Sequence, residues 1–406
     1  MFEHGPFKDC PKCGGTACLG ILSIGGQVLT RRCTNCRHIL RMPLPSLDKK
    51  VIYLDQLAFS EIFKMKSGYR RKTAPSRLFW ERAHQAVERV VLLQQAVFPT
   101  CNIHSEETLV FHRSVELRQA CELIGGDVAF KDVPQVEAAQ LYAFVDAFQQ
   151  GRGAPHLNFD VDDILEDKRN VWLPDLHITT NMDMSIFADD LRKSRTAGSD
   201  ALTNLVERWR TDKPTFETQL ETELKGWGKT FTKTYVELNN RRHKAMFDGD
   251  WDAVARAAMH QVNILMSQLM AKFHVDRPEV SPQDRQQFVD FMSWEGLDHL
   301  PYHLVSAYLF AALARRYANG QKRLPSQGML NDFAAIATYG PYVDAMFLDR
   351  ECASLLAEKR LKTDLPLKGP VFSTATGDAF IEYLNNLSDN APLEVKAYVK
   401  EIYGVE

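Results

Sequence analysis

The sequence predicts an α/β fold with a mainly parallel sheet, split by a large helical insertion and preceded by a small metal-binding module. Three observations predict it. Short β-prone apolar runs, VIYL at 51–54 and YVDAMFL at 342–348, alternate with stretches of helical periodicity. The middle of the chain, roughly 150–300, is rich in charge and helix formers, with Leu, Trp and Phe at helical spacing in ALTNLVERWR and FVDFMSW. Five of the eight cysteines fall in the first 36 residues, four of them as CPKC and CTNC.

The module comes first. Cys10 and Cys13, then nineteen residues, then Cys33 and Cys36 give two tight turns that place four thiolates around one tetrahedral zinc ion. GILSIGGQVLTRR between them alternates apolar and polar residues about a Gly-Gly turn, the pattern of a short hairpin. A unit this small has little core, so metal binding supplies most of its folding energy. Four thiolates close the coordination sphere, which makes the zinc structural. Cys18 is a spare and is expected not to ligate. Cys101, Cys121 and Cys352 are expected to be small buried apolar residues.

MPLPSLDKK, 42–50, reads as a linker. A strand ending at Asp55 follows, then a helix, then a long amphipathic helix over 76–96 with Ser76 as its N-cap. PTCNIHS, 99–105, reads as a second buried strand. The stretch 105–126 reads as a helix capped by Ser105 and stopped by Gly125-Gly126. Beyond the insertion come helices over 300–320 and 329–340, a strand over 342–348 ending at Asp349, and a helix. A short strand over 369–373 and the helix DAFIEYLNNL follow. The expected division is a zinc ribbon over 1–47, a first α/β part over 48–150, a mostly helical insertion over 151–299 and a second α/β part over 300–406.

Composition narrows the function. The chain of 406 residues exceeds one compact core. No apolar run approaches the ~18 residues of a membrane span, and the N-terminus lacks the basic-then-apolar order of a secretory signal, so a cytoplasmic protein with no membrane partner is expected. Net charge is −3, but residues 1–50 hold eight Lys or Arg against three acids, leaving +5 there and −8 on the remainder. A basic module on an acidic body suits contact with phosphate. RRHK at 241–244 reads more readily as a solvated helix face than as a nucleic-acid contact, and Tyr69-Arg70-Arg71-Lys72 reads equally as a base-stacking, phosphate-holding stretch or as a loop tail. Absence of GxxxxGK[ST], GxSxG and HExxH argues against P-loop NTPases, α/β-hydrolases and zinc proteases.

Ligands in open α/β sheets gather at the carboxyl ends of strands. Asp55 and Asp349 follow strands, Glu107 lies early in the helix after the second strand, Asp332 opens the helix before the later strand, and Asp344 lies within that strand. Carboxylates that converge repel one another unless cations stand between them, and Mg²⁺ and Mn²⁺ prefer oxygen ligands. Each acid alone also fits a helix cap or a first-turn dipole partner. Four in this order on one α/β unit favour a site.

At these residues the sequence resembles a family. VIYLDQLAFSEI looks like the opening strand and helix of a PIN or PIN-like domain. LNDFAAIATYGPYVDAMFLDRE looks like its later acid-bearing segment, and VFSTATGDAFIEYL like its final strand and helix. The resemblance covers 50–150 and 300–390 and has no counterpart for the insertion. It implies a three-layer fold, a parallel sheet with helices on both sides. It also implies an endonuclease that hydrolyses RNA, less often DNA, with Mg²⁺ or Mn²⁺ held by acids. Asp55 matches the first acid, Asp332 the third and Asp349 the fourth. Asp344 is a neighbouring candidate, and Glu107 is the choice for the second, with Glu106 and Glu116 as alternatives. The expectation is a metal-dependent nuclease, such as a toxin or antiphage effector, with nucleic acid as partner. The insertion would serve a regulatory protein or a homo-oligomer contact. The rival expectation is an inactive PIN-like binding module recruited through its ribbon.

Overall fold

In a computed structural model, the structure describes residues 7–68, 77–111, 113–125, 128–172 and 188–404. The expected cap Ser76, the stop at Gly126 and the Tyr69–Lys72 stretch lie outside them. The ribbon is a three-stranded antiparallel sheet of β1 (Leu19–Gly25), β2 (Val28–Cys33) and β3 (Ile39–Pro43). The expected hairpin is β1–β2, turning at Gly25-Gly26. Gly26 has φ +57°, a left-handed conformation that favours glycine.

The second sheet has four parallel strands in the order β5-β4-β6-β7: β4 (Lys50–Leu54), β5 (Ala96–Val97), β6 (Ala345–Phe347) and β7 (Val371–Phe372). Side-chain alternation shows that both faces are covered. Val51 and Tyr53 of β4 and Met346 of β6 enter one core, while Ile52, Leu54, Ala345 and Phe347 enter another. The second core is closed by α1 (Gln56–Lys66), α2 (Arg77–Leu92), α4 (Ser114–Gly125) and α15 (Gly377–Asp389). The first is closed by α5 (Val133–Gln149), α11 (Pro301–Ala318), α12 (Met329–Tyr339), α13 (Arg350–Leu356) and α14 (Lys359–Asp364). Helices on both sides of a parallel sheet make this a mixed α/β fold.

Between the two parts of the sheet run α6 (Ala188–Asp212), α7 (Phe216–Asp248), α8 (Trp251–Ala258), α9 (Gln261–Lys272) and α10 (Pro282–Met292). The helical expectation holds for these, and 151–172 carries a short 3-10 turn at Val161–Ile164. Leu202, Val206 and Trp209 of α6 and Phe216 of α7 join the same continuous core as Val51 and Tyr53. A last helix, α16 (Leu393–Tyr403), packs Val395, Val399 and Ile402 on Leu29 and Leu44 of the ribbon side and on Trp172.

Two elements differ from expectation. The second strand is Ala96–Val97, not 99–105. Pro99 lacks the N–H that would continue the ladder, and a helix, α3 (Asn102–Leu109), begins where the strand was expected to run. The helix over 105–126 is two helices, α3 and α4, and Ser105 lies inside the first. Cys101 is the cap, its amide donating to Nδ1 of His104 at 3.0 Å.

Candidate functional site

Two clusters of metal-ligand type occur among the described residues. In the first, the sulfurs of Cys10, Cys13, Cys33 and Cys36 all lie within 4.8 Å of one another. Cys10 and Cys36 are 3.6 Å apart, and Cys13 and Cys33 are 3.8 Å apart. Tetrahedral zinc with Zn–S of ~2.3 Å requires S···S of about 3.8 Å, so the four could hold such an ion. The Cys36 amide donates to the Cys33 sulfur at 3.4 Å, and that hydrogen bond leads in drawing the thiol down to about 6. Cys33 is therefore a ready thiolate at neutral pH. Cys18 is not one of the four. It donates to the Gly15 carbonyl at 3.0 Å and packs beside the Cys33 sulfur at 3.4 Å.

The module's charge is less available than its count suggests. Arg31 is fully buried and bridges to Glu401 of α16 at 2.8 Å. Lys49 is also buried, its Nζ donating to the Val171 carbonyl at 2.6 Å, and burial lowers its pKa to about 7. Lys12, Arg32, Arg37 and Arg41 are exposed.

The second cluster forms at the carboxyl ends of β4 and β6. Asp55 follows β4 and caps α1, Oδ1 accepting from the Leu57 amide at 3.4 Å, while its own amide donates to the Phe347 carbonyl at 2.9 Å. The two central strands are thereby tied together at the end where the acids stand. Asp349 lies two residues beyond β6 and caps α13 through the Cys352 amide at 2.7 Å. Asp332 sits in the first turn of α12, and its carboxylate, that of Asp349 and the Cys352 sulfur lie within 4.8 Å of one another. Glu107 on α3 reaches across to α12, accepting from Nδ2 of Asn331 at 3.0 Å.

Burial and neighbouring carboxylates hold two of these carboxyls above the ordinary range. Burial first, then Glu107 and Asp349, push Asp55 up to about 7. Burial first, then Asp55, Asp349 and Glu107, push Asp332 up to about 9. Burial and the carboxylates of Asp332 and Asp349 likewise hold the Cys352 thiol well above its usual value. A protonated thiol is no ligand for a hard cation. The carboxylate oxygens are the donors that fit Mg²⁺ or Mn²⁺.

Aromatic packing sets the helices that carry Glu107 and Asp332. His104 of α3 and Tyr339 of α12 both stack on Tyr53 of β4, with centroids 5.3 and 5.9 Å away. His104 is buried, and its Nε2 bonds the Leu54 carbonyl at 2.8 Å. With Nδ1 accepting from Cys101, the neutral tautomer protonated on Nε2 satisfies both partners. Both ring nitrogens are thus occupied in fixing α3 against the strand end.

Asp344 is not part of this cluster. It stands at the amino end of β6, where Oδ2 accepts from the Val51 amide at 2.9 Å and Lys368 lies 3.6 Å from Oδ1. In a parallel pair this is the opposite end from Asp55, roughly 13 Å along the strand. Of the alternatives for the second acid, Glu106 accepts from Asn102 at 3.4 Å and Glu116 pairs with Arg113 at 3.1 Å, and Glu107 is the one among the acids. One residue that the sequence did not single out, Arg195 of α6, also reaches the cluster, with Nη2 3.5 Å from Oε1 of Glu107. No family model, no curated protein and no solved structure matches the chain.

Proposed function

We propose that the chain is a PIN-like metal-dependent endonuclease, acting on RNA ahead of DNA, with a structural zinc ribbon. The observation that supports this best is the convergence of Asp55, Glu107, Asp332 and Asp349 where the two central parallel strands end, with two of the carboxyls driven up by burial and mutual repulsion. A divalent cation held there would supply Lewis-acid polarisation of a phosphodiester and a lowered pKa for an attacking water. Asp55, Asp332 and Asp349 are the residues that would hold it. Their backbone contacts keep Asp55 and Asp349 in place before a cation arrives: each caps a helix that starts at the strand end. Glu107, held by Asn331, stands beside these acids and would order or deprotonate a water. The exposed Lys12, Arg32, Arg37 and Arg41 of the ribbon supply a cationic surface for the polynucleotide.

The test is cleavage of labelled single-stranded RNA, tRNA and DNA in Mn²⁺, Mg²⁺ or EDTA, with wild type beside Asp55→Asn. Metal-dependent cutting that falls by about 10³-fold in the variant, with its zinc content unchanged, is the expected result. Equal cutting by the variant, or none by zinc-replete wild type in any metal, overturns the reading.

A further inference from the structure

The helical segment sends one cation into the acid cluster. Arg195 lies on α6, and α6 packs against α3, which carries Glu107. One turn further along, Gly198 faces Leu330 of α12. A Cβ added at Gly198 would stand 3.3 Å from Cδ1 of Leu330, tighter than an ordinary contact, so the glycine lets α6 approach the first turn of α12, where Asp332 sits. Arg195 is therefore held between the helices that present two of the acids, and its charge opposes the upward push on Asp332.

The guanidinium is under-used where it stands. It carries five N–H donors. Its contact with Glu107 is a single one at 3.5 Å, long for a charge-assisted bond, on an oxygen that already takes the shorter bond from Asn331. Nε is buried and has no hydrogen-bond partner among the described residues. A side chain in final position as a structural ion pair would be expected to form the bidentate fork with a carboxylate. Among the described residues the fork is unfilled, and the side chain is 23% exposed.

We propose that Arg195 is the phosphate-binding residue of the site. When a polynucleotide is bound, the guanidinium leaves Glu107 and forks onto the non-bridging oxygens of the phosphodiester to be cut. This rests on the nuclease reading above. It makes the helical segment part of the active site, and it releases Glu107 toward the water as substrate arrives. The charge sequence is self-consistent: the arginine partly offsets the acids while they are without a cation, and turns to a new anion when one is presented.

The experiment compares wild type, Arg195→Ala and Arg195→Lys, as full-length zinc-replete protein, in cleavage of labelled single-stranded RNA with saturating Mn²⁺, alongside Mn²⁺ affinity. Arg195→Ala should lower kcat/KM by about 10²- to 10³-fold, while Mn²⁺ binds at least as tightly because a competing cation is gone. Guanidinium ion at millimolar concentration should restore part of the lost turnover in that variant and leave wild type unchanged. Arg195→Lys keeps the charge and the packing stem but not the fork. It should lose about tenfold, and it decides the matter if the alanine variant does not fold. Cleavage by both variants within about threefold of a cutting wild type, or a parallel loss of Mn²⁺ affinity, overturns the role of Arg195 and leaves the nuclease reading standing. A wild type that cuts nothing removes both.

Discussion

His104 shows how a residue beside a site can serve it without touching substrate. Both ring nitrogens are spent, on the Leu54 carbonyl and the Cys101 amide, and the ring stacks on Tyr53. Replacing it by alanine removes two buried hydrogen bonds and leaves a cavity, so His104→Ala should destabilise the fold by about 3 kcal/mol in denaturant titration. The acids make a second prediction. In the metal-free protein Asp55 and Asp332 keep their protons to about 7 and about 9, whereas the unfolded chain releases them near the ordinary value of 3.8. The folded state then binds more protons over that interval, so this contribution to stability is full below about pH 4 and declines as pH rises toward 9. Thermal melts should accordingly show a larger upward shift on adding Mn²⁺ at pH 8 than at pH 6. Asp55 and Asp349 were legible because an acid directly after an apolar strand stands at the ligand-binding end of a parallel sheet. Asp344 misled because it lies next to the same strand in sequence, and sequence proximity does not tell one end of a strand from the other. Arg195 gave no signal: a single arginine on a polar helix looks like solvated surface until the helix is docked.

At the scale of elements, the misread segment is instructive. PTCNIHS carries the β-prone residues of a strand, but Pro99 ends the ladder and the Cys101–His104 cap starts a helix there. Capping by a histidine side chain is outside the usual Ser, Thr, Asp and Asn signal, so the start of α3 was placed three residues late. The apolar helices α11 and α12, stopped at Asn319-Gly320 and Gly340, fell within one or two residues of expectation. α16 was not anticipated, and its role depends on a partner remote in sequence, the ribbon. Glu401 on α16 is a counter-ion of the fully buried Arg31. Glu401→Ala removes a carboxylate that bonds this buried guanidinium at 2.8 Å and should cost about 1–3 kcal/mol, seen as an early loosening of the ribbon in proteolysis. Within the helical segment, a Cβ at Gly228 of α7 would fall 2.0 Å from the Met292 carbonyl at the end of α10. Gly228→Ala must push these helices apart, and should lower stability by about 1–3 kcal/mol despite alanine's better helix propensity.

For the whole molecule, the described residues form a body in which the segment expected to be an insertion shares the core of the sheet, and the ribbon is clasped by the C-terminal helix. Among the described residues no helix is long and apolar enough to cross a membrane. The α/β class and the cysteine cluster were legible because they are written in local pattern: period, spacing and CxxC pairs. The order of strands in the sheet and the docking of α6 over the acids were not, because both arise from contacts between segments far apart in the chain. The central proposal is that Asp55, Asp332 and Asp349 hold one divalent cation beside Glu107, and Mn²⁺ titration by calorimetry tests it most directly. Zinc-replete wild type should take up Mn²⁺ beyond its ribbon zinc, more tightly at pH 8 than at pH 6 and with proton release, and Asp349→Asn should weaken that uptake by about tenfold or more. Equal uptake by wild type and Asp349→Asn, or no uptake by wild type at either pH, would contradict it.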